Sequence, residues 1–90
     1  MAMIAERLRQ KLTDGLSPSE LVIEDDSARH AGHGGARPGG ESHFNVTIES
    51  AAFVGLNAVA RQRLVYRLLA EELAGPVHAL SLTLRPPAAG

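Results

Sequence analysis

The chain has 90 residues, of which 44% are hydrophobic and 21% charged, and its formal net charge is −1. A chain of this length forms one small domain with a modest core, and no segment reaches the roughly 20 apolar residues that a membrane-spanning helix needs. It contains no cysteine, which excludes disulfides and thiolate metal ligands from this chain alone, and its near-neutral charge argues against strong non-specific DNA binding.

The N-terminal part of the chain predicts a helix followed by a strand. Residues 1–13 carry apolar side chains at helical spacing with charged side chains on the other side, and Asp14-Gly15 is typical of a helix end. The segment lacks the charged-then-apolar pattern of a secretory leader, so we expect a cytoplasmic protein. Residues 21–27 predict a first strand that ends in acidic residues.

The centre of the chain changes abruptly from a loop to a strand. Residues 30–40 contain five glycines and one proline, which predicts a loop. Residues 41–50 alternate strictly between apolar and polar side chains, which predicts a half-buried strand.

A long helix is predicted in the second half. Asn57 is a suitable N-cap for a helix over residues 58–73, which Gly75-Pro76 ends, and a bend over residues 51–56 precedes it. The predicted apolar stripe consists of Val59, Tyr66, Leu69, Ala70 and Leu73, with Gln62 and Val65 at its edge and Leu64 and Leu68 on the side that the first helix can cover.

These elements define an α+β fold with the order helix, strand, strand, helix, strand. Residues 77–85 alternate as a third strand and residues 86–90 form a disordered tail, so residues 1–85 make a single domain. Strand 41–50 belongs in the middle of a three-stranded mixed sheet, antiparallel to 21–27 and parallel to the last strand, because a strand–helix–strand crossover gives a parallel pair. Both helices are expected to cover one face of this sheet.

The predicted topology gathers the histidines at one end of the sheet, where the loop and the starts of the last two strands meet. They are His30, His33, His43 and His78. Neutral imidazole is a common ligand for zinc, iron or copper, so this rim is a candidate metal site. The alternative is that His43 and His78 form hydrogen bonds at strand ends while the loop pair is solvated.

Three arginines make the long helix basic: Arg61, Arg63 and Arg67. They can contact phosphates or an acidic protein partner, or form an ordinary solvated helix surface. Catalysis is not expected, because Ser27, Ser42 and Ser50 lack the glycine-flanked turn of a nucleophile elbow.

Six segments of the chain stand in a characteristic order. They are D-D-S-A-R-H (25–30), G-E-S-H-F-N-V (40–46), F-V-G-L (53–56), R-Q-R-L-V-Y (61–66), L-A-E-E-L (69–73) and V-H-A-L (77–80). Together they resemble the BolA family, in its cysteine-free branch, over roughly residues 4–85. The family fold is akin to type II KH domains and agrees with the predicted topology.

The resemblance implies a non-enzymatic partner of monothiol glutaredoxins that shares a [2Fe–2S] cluster, in iron–sulfur assembly, trafficking or iron regulation. In this branch two imidazoles come from the BolA-like chain, which assigns His78 from V-H-A-L and a loop histidine, His30 with His33 as the alternative. The glutaredoxin cysteine and a glutathione thiol would complete the cluster, and the isolated chain is expected to hold no cofactor. His43 is expected to be structural or to support a ligand.

The resemblance also implies a second possibility, a nucleic-acid-binding transcriptional regulator that uses the basic helix. KH domains grip the nucleic-acid backbone with a G-x-x-G loop, whereas residues 53–56 contain one glycine. The exposed sheet face lacks aromatic side chains for base stacking. Gln62 stands where the family's R-x-R motif usually has histidine, which removes one candidate polar contact on this helix. The glutaredoxin-partner role is therefore preferred.

Overall fold

The computed structural model describes residues 3–25 and 43–88, which form a three-stranded sheet with helices packed on one face. In chain order the elements are α1 (Met3–Leu16), β1 (Glu20–Asp25), β2 (His43–Glu49), a 3-10 helix (Ala51–Phe53), α2 (Ala58–Leu68), α3 (Ala70–Ala74) and β3 (Ala79–Arg85). The predicted α+β class and element order are confirmed.

The sheet has the predicted topology, with β2 in the middle. β1 runs antiparallel to β2, with Leu21 opposite Ile48, and β3 runs parallel to β2, with Ile48 opposite Leu84. The parallel pair follows from the intervening helices, which carry the chain back to the end of the sheet at which β2 began.

The core forms where the helices meet β2. Phe44, Val46 and Ile48 are at most 1% exposed, and α1 and α2 bury Leu12 and Val65 against the same cluster. Burying a side chain of this kind stabilises the fold by about 1.5–3 kcal/mol. The strict alternation of residues 43–49 therefore specifies which face of the central strand the helices cover.

The first helix is longer than predicted. It continues through Asp14-Gly15 to Leu16, because Leu16 is 5% exposed and joins the core. The left-handed backbone conformation that commonly follows a helix occurs at Ser17, with φ 44°. Gly15 does not end the helix but allows α1 to approach Leu68 of α2 closely. A Cβ at this position would lie 2.8 Å from Cδ2 of Leu68. As predicted, α1 covers Leu68.

The predicted helix over residues 58–73 is divided at Leu69, whose backbone leaves helical geometry at φ −106° and ψ 17°. The predicted apolar stripe is confirmed only in part: Leu69 is buried and Leu73 packs against the core, whereas Val59 and Tyr66 do not. The fully buried residues are Val65, Leu69 and Glu72, while Tyr66 is 37% exposed and Val59 is 55% exposed. The buried face also contains a carboxylate, that of Glu72, so a search for apolar residues alone extended the stripe to the exposed Val59 and Tyr66 instead.

Ser50 ties together the ends of several elements and is fully buried. Its Oγ donates a hydrogen bond to the carbonyl oxygen of Leu16 at 2.6 Å and accepts one from the N–H of Ala52 at 3.1 Å. Its own N–H donates to the carbonyl of Arg85 at 3.1 Å. Ser50 is thus a structural N-cap of the 3-10 helix, consistent with its exclusion as a nucleophile.

Candidate functional site

As predicted, the strand register places the end of β1 and the starts of β2 and β3 at the same end of the sheet. Asp25 at the end of β1 lies opposite Phe44, and His43 at the start of β2 lies opposite Ala79 at the start of β3. Residues 26–42 are therefore joined to the described chain at the same sheet end as the start of β3. Neighbouring strands lie about 4.8 Å apart, so both attachment points are within about 10 Å of β3.

His78 lies at this end, directly before β3, and is exposed to solvent. The sequence predicts it inside the strand, but the strand begins one residue later, at Ala79. The preceding residue, Val77, is 3% exposed and belongs to the core. A buried anchor followed directly by an exposed imidazole presents the His78 ring to solvent or to a partner.

The turn before His78 is held by the backbone of Glu72. Its carbonyl oxygen accepts the N–H of Gly75 at 3.2 Å and that of Val77 at 2.9 Å. These bonds bring the chain from the end of α3 into β3 and use a carbonyl that the helix end would otherwise leave without a partner.

The side chain of Glu72 connects the same turn to the first helix. Its carboxylate is fully buried and accepts hydrogen bonds from Arg7 Nη2 at 2.8 Å and from Lys11 Nζ at 2.9 Å. Burial opposes ionisation, but the hydrogen bond from Lys11 and the charges of both cations outweigh it and hold the pKa of Glu72 below its ordinary value of 4.5. The same contacts raise the pKa of Lys11, for which the hydrogen bond to Glu72 is the largest cause.

This ion-pair cluster was not found from the sequence. Arg7 and Lys11 are four residues apart and so share one face of α1, and Glu72 follows Val65 and Leu69 at helical spacing. These two spacings were the only indication in the sequence that the three charged residues could form an ion-pair cluster. Their meaning depends on knowing that α1 and α3 are neighbours.

The structure describes two of the four histidines. His78 is exposed and His43 is half-buried at the start of β2, whereas His30 and His33 lie outside the described residues. Among residues 3–25 and 43–88, no three His, Cys, Asp or Glu side chains are grouped closely enough to hold a metal ion. A metal bound to His78 therefore needs further ligands from residues 26–42 or from a partner.

The three arginines that are candidate partner or nucleic-acid contacts lie on two different surfaces of α2. Arg63 and Arg67 are exposed and line a groove of about 390 Å³ beside the N-cap Asn57, whose side chain accepts the N–H of Ala60 at 2.8 Å. Arg61 is half-buried on the side facing β3, where its Nη1 donates to the carbonyl oxygen of Leu84 at 3.4 Å. Residues 58–68 contain no acidic side chain, so the whole helix is basic.

A second groove, of about 290 Å³, runs between α2 and β3. Its lining residues are Ala58, Arg61, Gln62, Tyr66, Leu80, Leu82 and Leu84. Gln62 thus lies in this groove and not at the sheet end where His43 and His78 lie. Within residues 3–25 and 43–88, none of the helices combines the length and the hydrophobicity that a membrane span requires.

Comparison with known proteins identifies the family. The family model described as BolA-like protein matches residues 12–89. The chain is 54% identical over 85 residues to Protein BOLA1, chloroplastic, of Arabidopsis thaliana, and 47% identical over 81 residues to BolA-like protein 1 of Homo sapiens. These matches cover 92% and 90% of this chain but 53% and 56% of the relatives, so the chain spans about half the length of these relatives.

A bacterial relative and a solved structure extend the comparison. The chain is 42% identical over 80 residues to the DNA-binding transcriptional regulator BolA of Escherichia coli, covering 89% of this chain and 72% of that protein. The structure of BolA1 from Arabidopsis thaliana superposes with a TM-score of 0.81 at 48% identity, covering 97% of this chain and 95% of the other. The described fold, the family match and these identities agree: the chain belongs to the BolA family.

Proposed function

We propose that this chain is a non-enzymatic partner of a monothiol glutaredoxin and shares a [2Fe–2S] cluster with it and with glutathione, in iron–sulfur cluster assembly, trafficking or iron regulation. The observation that carries the proposal is the position of His78. This exposed imidazole lies at the sheet end to which residues 26–42 are joined, and a buried residue anchors it.

The metal-ligand types available in this chain suit a cluster that is shared with a partner rather than one held by this chain alone. The chain has no cysteine, so it supplies imidazoles and leaves the thiolates to the glutaredoxin and to glutathione. His78 would hold the cluster together with one histidine of residues 26–42. The cluster, when bound, would supply an exchangeable iron–sulfur unit, while this chain would supply the orientation of the two rings.

Chain length permits either candidate for the loop ligand. His30 is five residues beyond Asp25, and five extended residues reach about 17 Å. His33 is ten residues before His43 and has a longer reach still. Both distances exceed the roughly 10 Å between β1 and β3. His30, which follows the D-D-S motif, is the first candidate and His33 the alternative.

The test is reconstitution of the full chain with a monothiol glutaredoxin, glutathione, iron and sulfide. We expect visible absorption and circular dichroism of a mixed cluster, and its loss in His78→Ala. Of His30→Ala and His33→Ala, the ligand is the one whose replacement removes the spectrum. His43→Ala, at a residue expected to be structural or to support a ligand, should weaken the spectrum less than the ligand variants do. An unchanged spectrum in His78→Ala would overturn the proposal.

A second function is favoured by the basic helix. Arg63 and Arg67 line an open groove on a helix without acidic residues, and the Escherichia coli relative is named a DNA-binding transcriptional regulator. For this function we expect affinity for duplex DNA to fall steeply with salt and to weaken in Arg63→Ala and Arg67→Ala. Arg9→Ala, on the exposed side of α1, is the control. A salt-independent affinity, or equal effects of all three variants, would argue against it.

A further inference from the structure

The outer edge of β3 carries backbone groups that point away from the sheet. β3 is the last strand of the sheet in the described part of the chain. The carbonyl of Arg85 accepts the N–H of Ser50, so Arg85 faces β2. Backbone groups alternate from side to side along a strand, and those of Leu80, Leu82 and Leu84 therefore face outward.

The contact of Arg61 supports this assignment independently. Its Nη1 reaches the carbonyl oxygen of Leu84 from α2, outside the β2–β3 ladder, at 3.4 Å. The bond is long, and the buried Nε of Arg61 has no hydrogen-bond partner within the described residues. The guanidinium thus has donor capacity left at the edge of the strand.

The groove between α2 and β3 lies along this edge. It is lined by the same three leucines and by Arg61, Gln62 and Tyr66 of α2. Its walls combine apolar side chains with one cation, and α2 carries three arginines and no acidic residue. A ligand that fits this groove is extended, alternates apolar side chains, and carries a negative charge where it passes Arg61.

We propose that the outer edge of β3 binds an extended, acidic peptide segment of a partner protein by strand addition. The segment would pair with the outward N–H and C=O groups of Leu80 and Leu82 and place alternate side chains in the groove. A carboxylate of the segment would take the free donors of Arg61, releasing the Leu84 carbonyl to the new strand. This proposal needs no metal and stands independently of the proposed function.

The test begins with a library of random twelve-residue peptides displayed on phage and selected against the full chain. We expect enrichment of sequences that alternate β-branched or aromatic residues with polar ones and contain an aspartate or glutamate. Failure of selection to enrich any peptide would overturn the proposal.

Amide hydrogen exchange of the complex with an enriched synthetic peptide then locates the binding site. The amides of Leu80 and Leu82 should exchange rapidly in the free protein and become protected at least tenfold on binding. The amides of Ser81 and Thr83, which face β2, are the internal control and should be protected in both states. Binding without new protection at Leu80 and Leu82 would contradict strand addition.

The charge requirement is tested by substitution on both sides. Arg61→Ala should weaken peptide binding about tenfold, the loss expected for a charged hydrogen bond. Arg63→Ala, which removes an arginine from the other groove of the same helix, should not. A ten-nucleotide single strand of thymidines provides the competing ligand class. Its binding in place of peptide, with the same dependence on Arg61, would assign the groove to nucleic acid and overturn the proposal.

Discussion

The carbonyl oxygen of Glu72 accepts the N–H of Val77 at 2.9 Å, and the carboxylate of the same Glu72 is bonded to Lys11 and Arg7 of the first helix. One residue therefore connects α1, the end of α3 and the turn that precedes His78. The proposed ligand is exposed, but the chain that carries it is anchored in a buried ion-pair cluster.

Replacing Glu72 with glutamine should lower the free energy of unfolding by about 1–3 kcal/mol, because the cations of α1 then lose a buried anion. Urea denaturation measures this change. The matched control is Glu71→Gln: Glu71 also bonds Lys11, at 2.9 Å, but its side chain is 76% exposed. The Glu71→Gln substitution should lower the free energy of unfolding by about 0.5 kcal/mol or less. Equal losses in both variants would show that burial of Glu72 is not the cause.

The same carboxylate predicts a loss of stability in acid. Its folded-state pKa is held below the ordinary value of 4.5, so its contribution is complete above that pH and disappears as the pH falls through the folded-state value. Glu72→Gln should therefore lose less stability than the natural chain as the pH is lowered below 4.5, measured by urea midpoints.

Part of the acid response should remain in that variant. Glu49 also has a lowered pKa, because the Ser19 hydroxyl donates to it and Arg85 bonds it at 3.1 Å. The double variant Glu72→Gln with Glu49→Gln lacks both carboxylates, so its stability should depend on pH in the acid range even less than that of the single variant. A single variant with the same acid slope as the natural chain would contradict the role of Glu72.

Ser50→Ala should destabilise the fold by about 1–3 kcal/mol, because the buried carbonyl of Leu16 and the N–H of Ala52 both lose their partner. Thermal or urea unfolding gives the value. Ser19→Ala is the control, since the Ser19 hydroxyl is exposed where it donates to Glu49 at 2.8 Å. That variant should change stability by about 0.5 kcal/mol or less.

Gly15→Ala tests the contact between α1 and α2. Alanine in a helix is favoured over glycine by about 1 kcal/mol, but its Cβ would lie 2.8–2.9 Å from both Cδ atoms of Leu68. The substitution should therefore stabilise a Leu68→Ala background by about 1 kcal/mol and fail to stabilise the natural chain. A double-mutant cycle by urea denaturation measures the difference. Additive effects would show that Leu68 moves aside without cost.

His78→Ala should leave the free energy of unfolding within about 0.5 kcal/mol of the natural chain, because the ring is exposed. Urea denaturation of the isolated variant checks this. The result determines how the cluster experiment is read, since a folded His78→Ala protein separates loss of a ligand from loss of structure. A large loss of stability would show that the ring has a packing role.

Much of the fold was predictable because its signals are local. The alternation of residues 43–49 identified the central strand and its buried face, and the crossover rule then specified the parallel pairing with β3. Helix ends were less predictable. Asp14-Gly15 looks like a stop, but burial of Leu16 extends α1 past it, and that burial depends on elements distant in the sequence.

The site divides in the same way. Topology predicted that His78 and the ends of the 26–42 segment share one sheet end, and the register of His43 with Ala79 agrees. The assignments of His78, of His30 or His33, and of His43 remain predictions.

The family, the topology and the absence of thiolates could be read from the amino-acid sequence, because periodicity, motif order and composition are properties of the chain alone. The buried Glu72 with its two cations and the outward edge of β3 beside Arg61 became apparent from the packing of the elements. A charged residue is assigned to the surface by its own chemistry. It becomes part of a core only where another element brings the opposite charge, and that pairing arises in three dimensions.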